Sequence, residues 1–137
     1  MIHQFFHDCI PPTTTAQVQG RRRYRQPKVE LAKAFWLAVM MAHKPERPMI
    51  GPLRCEINIY WPYTAKQINR SEKAPIMKIT KPDCDNLMKA PQDAMQVAGF
   101  FQGDQIISDL HILKWNFSIT GITITITELD DYGNIKP

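Results

Sequence analysis

Two aspartates stand one residue apart in the segment KPDCDNLMK, at Asp83 and Asp85, and a third, Asp104, comes later in the chain just ahead of an apolar run. Mg²⁺ is normally bound through one or two carboxylates together with water and phosphate oxygens. Three such carboxylates beside basic segments therefore suggest metal-assisted hydrolysis of a phosphodiester. Mg²⁺ is the expected ion, with Mn²⁺ as an alternative.

The chain around the first two aspartates can bring both carboxylates to one cation. Residues two apart point to the same side of an extended segment but diverge on a helix. Pro82 favours extended backbone at Lys81, and Asp85 is a good N-cap for a helix that begins at Asn86. The positive end of a helix also stabilises a carboxylate without any metal, so capping alone is an alternative explanation of Asp85.

Lys89 is four residues from both Asp85 and Asp93, which is the spacing of neighbours on one helix face. One interpretation is a set of ordinary ion pairs along the helix. The other is a cation that holds the scissile phosphate and stabilises its developing charge. Pro91 interrupts the helical hydrogen bonds, so we expect a kink or a restart there, and Gly99 is expected to end the helix.

The third aspartate opens a predicted strand, QIISDLHILKWNFSI, directly after Gly103. A strand start beside a helix start is a reasonable place for Asp104 to meet the other two carboxylates. Asp109 has the opposite parity along this strand and is expected to face away from Asp104. We predict that Asp109 and Asn86 support the metal-binding and catalytic residues rather than bind the ion themselves.

Two segments concentrate positive charge, at residues 13–28 and 62–82. Guanidinium groups present planar, paired donors to phosphate oxygens, and a tyrosine among them can stack on a base. A solvated, partly disordered loop is the alternative in each case. The predicted DNA contacts are Arg21, Arg22, Arg23, Tyr24, Arg25 and Lys28 in the first segment and Lys66, Arg70, Lys73, Lys78 and Lys81 in the second.

The remaining pattern predicts the fold. Residues 2–9, 53–61 and 121–128 read as strands, the last two with strict alternation, and residues 29–43 as an amphipathic helix. The coarse order is β-α-β-α-β-β. We therefore predict an α+β domain with a mixed sheet flanked by helices, and a polar tail at 129–137 that frays.

Composition limits the class of protein. The chain has 137 residues, 44% of them hydrophobic, which is enough for one domain with a real core. Seventeen basic residues against thirteen acidic ones give a net charge of +4, which is compatible with nucleic acid. Three cysteines without a CxxC pair favour reduced thiols. With no apolar stretch of membrane-spanning length and no signal peptide at the start, a cytoplasmic protein without membrane contact is expected.

The segment KPDCDNLMKAPQDAM followed by GFFQGDQIISD resembles the signature of RusA-type Holliday-junction resolvases. That signature reads D-x-D-N-L-x-K, then D-A, then an aspartate opening Q-hydrophobic-hydrophobic-x-D. The early Pro11–Pro12 also resembles the family's N-terminal pattern. Two positions depart from the family: Gly103 stands where a second acid often precedes the third aspartate, and Pro91 where the helix is usually uninterrupted.

The resemblance implies one RusA-like domain over residues 1–137 and a homodimeric, magnesium-dependent endodeoxyribonuclease. Such an enzyme resolves four-way DNA junctions by symmetric nicks in recombination and repair. Asp83, Asp85 and Asp104 would be its carboxylates and Lys89 its supporting cation. A phage or prophage origin would suit the small size. The alternatives are a non-catalytic branched-DNA or RNA-binding module, whose acids cap a helix and form ion pairs, and a nuclease that cuts flaps or forks.

Overall fold

The structure is a computed structural model that describes residues 1–14, 27–71 and 73–137. Its elements are β1 (Ile2–Asp8), α1 (Pro27–Ala42), β2 (Leu53–Trp61), β3 (Ile76–Met77), α2 (Cys84–Leu87), α3 (Lys89–Ala98), a 3₁₀ turn (Asp104–Ile106), β4 (Ile107–Asn116) and β5 (Gly121–Glu128). The α+β prediction is confirmed. The two-residue strand β3 was not predicted, because it is too short to show a period of its own.

The strands form one five-stranded sheet in the order β1-β5-β2-β4-β3. β2 and β4 are parallel, whereas the other neighbouring pairs are antiparallel, so the predicted mixed sheet is confirmed. Parallel neighbours cannot be joined by a tight turn and need a crossover connection. Here the crossover from β2 to β4 carries β3, α2 and α3, and with them the first two aspartates of the predicted site.

One face of the sheet builds the core. The alternating residues of β2 from Leu53 to Trp61 are buried, as are Ile122, Ile124 and Ile126 of β5. Residues of α1 and α3 belong to the same hydrophobic cluster. Full burial of one such aliphatic side chain contributes about 1.5–3 kcal/mol, so this face fixes the register of the strands. Within the described ranges, no helix is both long and apolar enough to span a bilayer.

The helix predicted to kink at Pro91 is divided just before it. α2 ends at Leu87 and α3 begins at Lys89, which makes Pro91 the third residue of α3. The first N–H groups of a helix have no partner within the helix, so a proline at this position sacrifices no hydrogen bond. α3 ends as predicted at Gly99, which has a φ of 90° and an N–H that donates to the carbonyl of Gln96 at 3.2 Å.

The C-terminal segment does not fray, and that prediction is wrong. Leu129 is 3% exposed, its N–H donates to the carbonyl of Pro52 at 2.9 Å, and it forms a bridge with Ile135. The Asp130 carboxylate accepts the N–H of Asn134 at 2.9 Å and so closes a turn. The polar residues that suggested disorder are those that build this turn.

We predict that Glu128 is a main source of acid sensitivity. Its buried carboxylate accepts two hydrogen bonds from Arg47, at 2.9 and 3.0 Å, and one from the N–H of Ile50 at 2.7 Å. These hydrogen bonds lower the pKa of Glu128 from 4.5 to about 2, and the bond from Arg47 has the largest effect. The stabilisation is therefore complete above about pH 4.5 and is lost as the pH falls toward 2.

Glu128→Gln should lower the free energy of unfolding at pH 7 by about 2 kcal/mol, because the bonds to a charged acceptor are lost. Urea unfolding at pH 7 and pH 3 measures this, and the loss should shrink at the lower pH. Glu46→Gln, at an exposed position, is the control. Equal losses for both variants would contradict the assignment.

Candidate active site

The first two aspartates lie at the start of α2. Asp83 has extended backbone, with φ −77° and ψ 148°, and occupies the cap position, while Asp85 lies in the first turn. The helix thus begins two residues earlier than predicted, and the capping role predicted for Asp85 is wrong. The N–H of Asn86 closes the first turn on the carbonyl of Asp83 at 3.1 Å. The Asp83 side chain makes no capping hydrogen bond, so its carboxylate is available to a cation.

Lys81 forms an ion pair with the first of the two carboxylates. Its ammonium lies 2.8 Å from the Asp83 carboxylate, with both side chains exposed. The pKa of Lys81 is raised, mainly by the hydrogen bond and the charge of Asp83, with a further contribution from the charge of Asp85. Asp83 therefore binds the Lys81 ammonium directly, and the charge of Asp85 also acts on this exposed ammonium.

Lys89 and Asp104 form a second group of charges. The Lys89 ammonium lies 3.1 Å from Asp93 and 3.8 Å from Asp104. Its pKa is raised, first by the hydrogen bond and charge of Asp93 and then by the charge of Asp104. The N–H of Asp104 donates to the side-chain oxygen of Gln96 at 3.2 Å, which ties the 3₁₀ turn to α3. Lys89 thus has both the ordinary helical partner and a contact with the third aspartate.

The predicted meeting of all three aspartates is not seen. Among the residues that the structure describes, no group of three or more His, Cys, Asp or Glu side chains lies close enough to hold a metal ion. The acids are divided instead between Lys81 and Lys89. Two carboxylates, together with water and phosphate oxygens, still match the donor set that Mg²⁺ takes from proteins. The Asp83–Asp85 pair therefore fits such an ion by its chemistry.

Asp109 and Asn86 have different surroundings. Asp109 faces Arg54 on β2 and His111 on its own strand, each at 2.7 Å, and its pKa is lowered chiefly by the hydrogen bond from Arg54. This group lies on the sheet face opposite to the core. Asn86 and Lys89 line a cavity of about 250 Å³ between α1 and α3. Asn86 is therefore beside the candidate site, whereas Asp109 is paired elsewhere.

The residues predicted to contact DNA fall into three groups. Residues 21–25 and the side chain of Lys28 lie outside the described part of the chain. Lys66, Arg70, Lys73 and Lys81 are exposed. Lys78 is half-buried: its ammonium donates to the Thr80 hydroxyl at 2.7 Å and lies 5.3 Å from the centre of the Trp61 ring.

The second basic segment is attached to β4. The side-chain amide of Asn116 donates to the carbonyl of Pro62 at 3.0 Å, and the short strand β3 pairs with the end of β4. The Tyr63 hydroxyl donates to the carbonyl of Ala74 at 2.7 Å and so closes the segment on itself. The described part of this segment is therefore held by hydrogen bonds to β4 and within itself, which argues against the solvated-loop alternative.

One residue beside the site was missed. Lys114 of β4 donates from its ammonium to the carbonyls of Thr80 and Pro82, each at 2.7 Å. A single lysine in an alternating strand gives no signal of such a role. Only the folding of residues 62–82 onto β4 reveals it.

Comparison with known proteins identifies the family. The family model described as Endodeoxyribonuclease RusA matches residues 10–127, which is most of the chain. The chain belongs to the RusA family. The match covers every described element that contributes a residue to the candidate site, and it confirms both the resemblance in sequence and the enzyme class, an endodeoxyribonuclease.

Two similar proteins show how far the similarity extends. The uncharacterised protein YqaN of Bacillus subtilis is 27% identical over 140 residues, which span 89% of this chain and 98% of YqaN. The crossover junction endodeoxyribonuclease RusA of Escherichia coli O139:H28 is 42% identical over 50 residues, 36% of this chain and 42% of that protein. The similarity to YqaN has the lower identity but covers nearly the whole of both chains, whereas the similarity to the Escherichia coli protein has the higher identity and covers less than half of either chain.

We predict that thiol labelling distinguishes the site from the core. Cys84, between the two aspartates, is exposed, whereas Cys55 is buried and burial raises its pKa to about 12. At pH 8, iodoacetamide should modify Cys84 quickly and leave Cys55 unmodified, because alkylation needs an accessible thiolate. Mass spectrometry of the digested protein measures both rates, with Cys84→Ser as the control. Comparable rates at Cys55 and Cys84 would contradict the structure.

Proposed function

We propose that this RusA-family endonuclease is a Mg²⁺-dependent enzyme that resolves four-way DNA junctions by paired, symmetric nicks during recombination and repair. The observation that carries the proposal is that the Asp83 carboxylate makes no capping hydrogen bond and binds an exposed ammonium at 2.8 Å, at the start of α2 and two residues from Asp85. The local likeness to a crossover junction endodeoxyribonuclease supports the choice of a branched DNA substrate.

The carboxylates would hold the ion. We assign Asp83 and Asp85 as the residues that would hold it, with Asp104, which is paired with Lys89 in this structure, as the third ligand once that pair opens. Such an ion would supply polarisation of the phosphate and a bound water of lowered pKa. Lys89 is placed beside Asp104 to bind a non-bridging oxygen of the scissile phosphate and to stabilise its negative charge as the bond breaks. Asp93 holds the Lys89 ammonium at the start of α3 until DNA arrives.

Basic side chains would bind the DNA backbone. The proposed contacts are the exposed Lys66, Arg70 and Lys73 of the second basic segment, together with the basic residues of 21–28, which lie largely outside the described part of the chain.

The substrate's symmetry motivates the proposed assembly. A four-way junction offers two equivalent strands for cutting, and a two-fold symmetric homodimer presents two copies of the site. A binding module without catalysis is the second candidate, and the ordinary ion pair between Lys89 and Asp93 is the observation that favours it. Both candidates bind DNA in a salt-dependent manner, so cleavage rather than affinity distinguishes them.

A synthetic four-way junction tests the proposal directly. With each strand labelled in turn, the protein and Mg²⁺ should give two nicks at symmetric positions in opposing strands, and EDTA should abolish them. Denaturing gel electrophoresis locates the cuts, with a linear duplex of the same sequence as control substrate. Binding without cutting would establish the binding module, and scattered cuts on flaps and forks would establish a nuclease of broader specificity.

Asp83→Asn should reduce junction cleavage by at least about 100-fold, since it removes a ligand of the ion. Binding should be retained or strengthened, because a charge that repels phosphate is also removed. Gel shift in Ca²⁺ and cleavage in Mg²⁺ measure the two effects. Asp131→Asn, at an exposed position in the C-terminal turn, is the matched control and should leave both unchanged. Normal cleavage by Asp83→Asn would exclude this residue as an essential ligand.

A further inference from the structure

Lys114 joins the strand β4 to the turn that precedes α2. Its side chain has the same parity along β4 as Ile112, which packs against the core, and it is half-buried. The ammonium reaches two carbonyl oxygens at 2.7 Å each, those of Thr80 and Pro82. Hydrogen bonds from a charged donor at this distance are stronger than neutral ones.

The two carbonyls belong to the peptide units that carry the Lys81–Asp83 ion pair. The Pro82 carbonyl carbon is bonded to the nitrogen of Asp83, and the Thr80 carbonyl carbon is bonded to the nitrogen of Lys81. Proline has no N–H, so its carbonyl is the backbone hydrogen-bonding group through which this point of the chain can be held. One ammonium therefore fixes the backbone on which both members of the ion pair stand.

Neighbouring contacts attach the same turn to the same strand. The N–H of Lys78 donates to the carbonyl of Lys114 at 2.9 Å, ahead of the turn. Beyond it, the Cys84 thiol makes a long contact of 3.8 Å with the carbonyl of Ile112. The two bonds from the Lys114 ammonium reach residues between these contacts, and they are the shortest of the four. The position of Asp83 relative to Asp85 thus depends on a side chain from a distant part of the sequence.

We propose that Lys114 is a positioning residue of the metal site, which holds Asp83 where it can share a divalent cation with Asp85. This inference depends on the metal-binding role of Asp83 in the proposed function. Two effects of the Lys114 ammonium oppose each other: its bonds to the carbonyls preorganise the ligand, and its charge repels a metal ion. Because the charge is directed at two carbonyl oxygens, we expect the positioning effect to dominate.

Lys114→Met tests which effect dominates, since it keeps most of the stem and removes the charge. Mn²⁺ binding to the protein alone, measured by electron paramagnetic resonance, should weaken roughly 10–100-fold, as for other residues that orient metal ligands. Lys114→Arg retains donors for both carbonyls and should recover most of the affinity. Lys136→Met, at an exposed position, is the matched control and should bind as the wild type does. Unchanged or tighter binding by Lys114→Met would overturn the proposal.

Hydrogen exchange provides a second measurement that a general loss of stability does not reproduce. In Lys114→Met, the backbone amides of residues 81 and 83 to 86 should exchange faster, while those of β2 and β5 keep the wild-type rate. If Lys114→Met fails to fold, Lys114→Arg is measured instead. Mn²⁺ binding and hydrogen exchange of Lys114→Arg that equal those of the wild type support the proposal. Weakened Mn²⁺ binding by Lys114→Arg, with unchanged hydrogen exchange in the turn, overturns it.

The proposed function and this inference can fail separately. If the wild type binds Mn²⁺, loses that binding in Asp83→Asn and yet leaves four-way junctions uncut, the junction assignment fails while the role of Lys114 stands. If Asp83→Asn binds Mn²⁺ as the wild type does, Asp83 is not a ligand. The positioning role of Lys114 is then excluded, whatever the DNA substrate.

Discussion

The parallel pairing of β2 with β4 is the constraint on which the rest of the structure depends. It forces the chain between these strands to leave the sheet and return, and this crossover carries the first two aspartates and Lys89, with α2 packed against β4. In the observed register Ile59 stands opposite Lys114. A slip of β4 by one residue would turn Lys114 to the other face of the sheet and release the turn that carries Asp83.

The negative charge of the candidate site is divided between two lysines. Lys81 stabilises Asp83 and Asp85, and Lys89 stabilises Asp93 and Asp104. Both lysines are more than half exposed, so a divalent ion that replaces either one releases it to water rather than into the protein interior. Asp83 and Asp104 are therefore paired with different ammonium groups, and this division of charge accompanies their separation.

Local patterns predicted those features whose causes are local. Strict alternation identified β5, a glycine after the last apolar position ended α3, and spacing by four paired Lys89 with Asp93. The cap position of Asp83, the strand β3 and the bonds of Lys114 to two backbone carbonyls depend on how the described part of residues 62–82 folds back onto β4. No neighbouring residue signals this. The ordered tail was missed for the same reason, since Leu129 acquires its partner Pro52 only in the folded chain.

The two departures from the family pattern have different structural consequences. Pro91 lies where α3 needs no N–H, so Lys89 is the first residue of a regular helix and reaches both Asp93 and Asp104. Gly103 has extended backbone, with a φ of −154° that any residue adopts. A side chain there would meet the flexible end of Gln105 rather than backbone, so the fold does not demand glycine. With glycine at position 103, Asp104 has no acidic residue directly before it. The Lys89 ammonium, at 3.8 Å, can balance the charge of the Asp104 carboxylate alone.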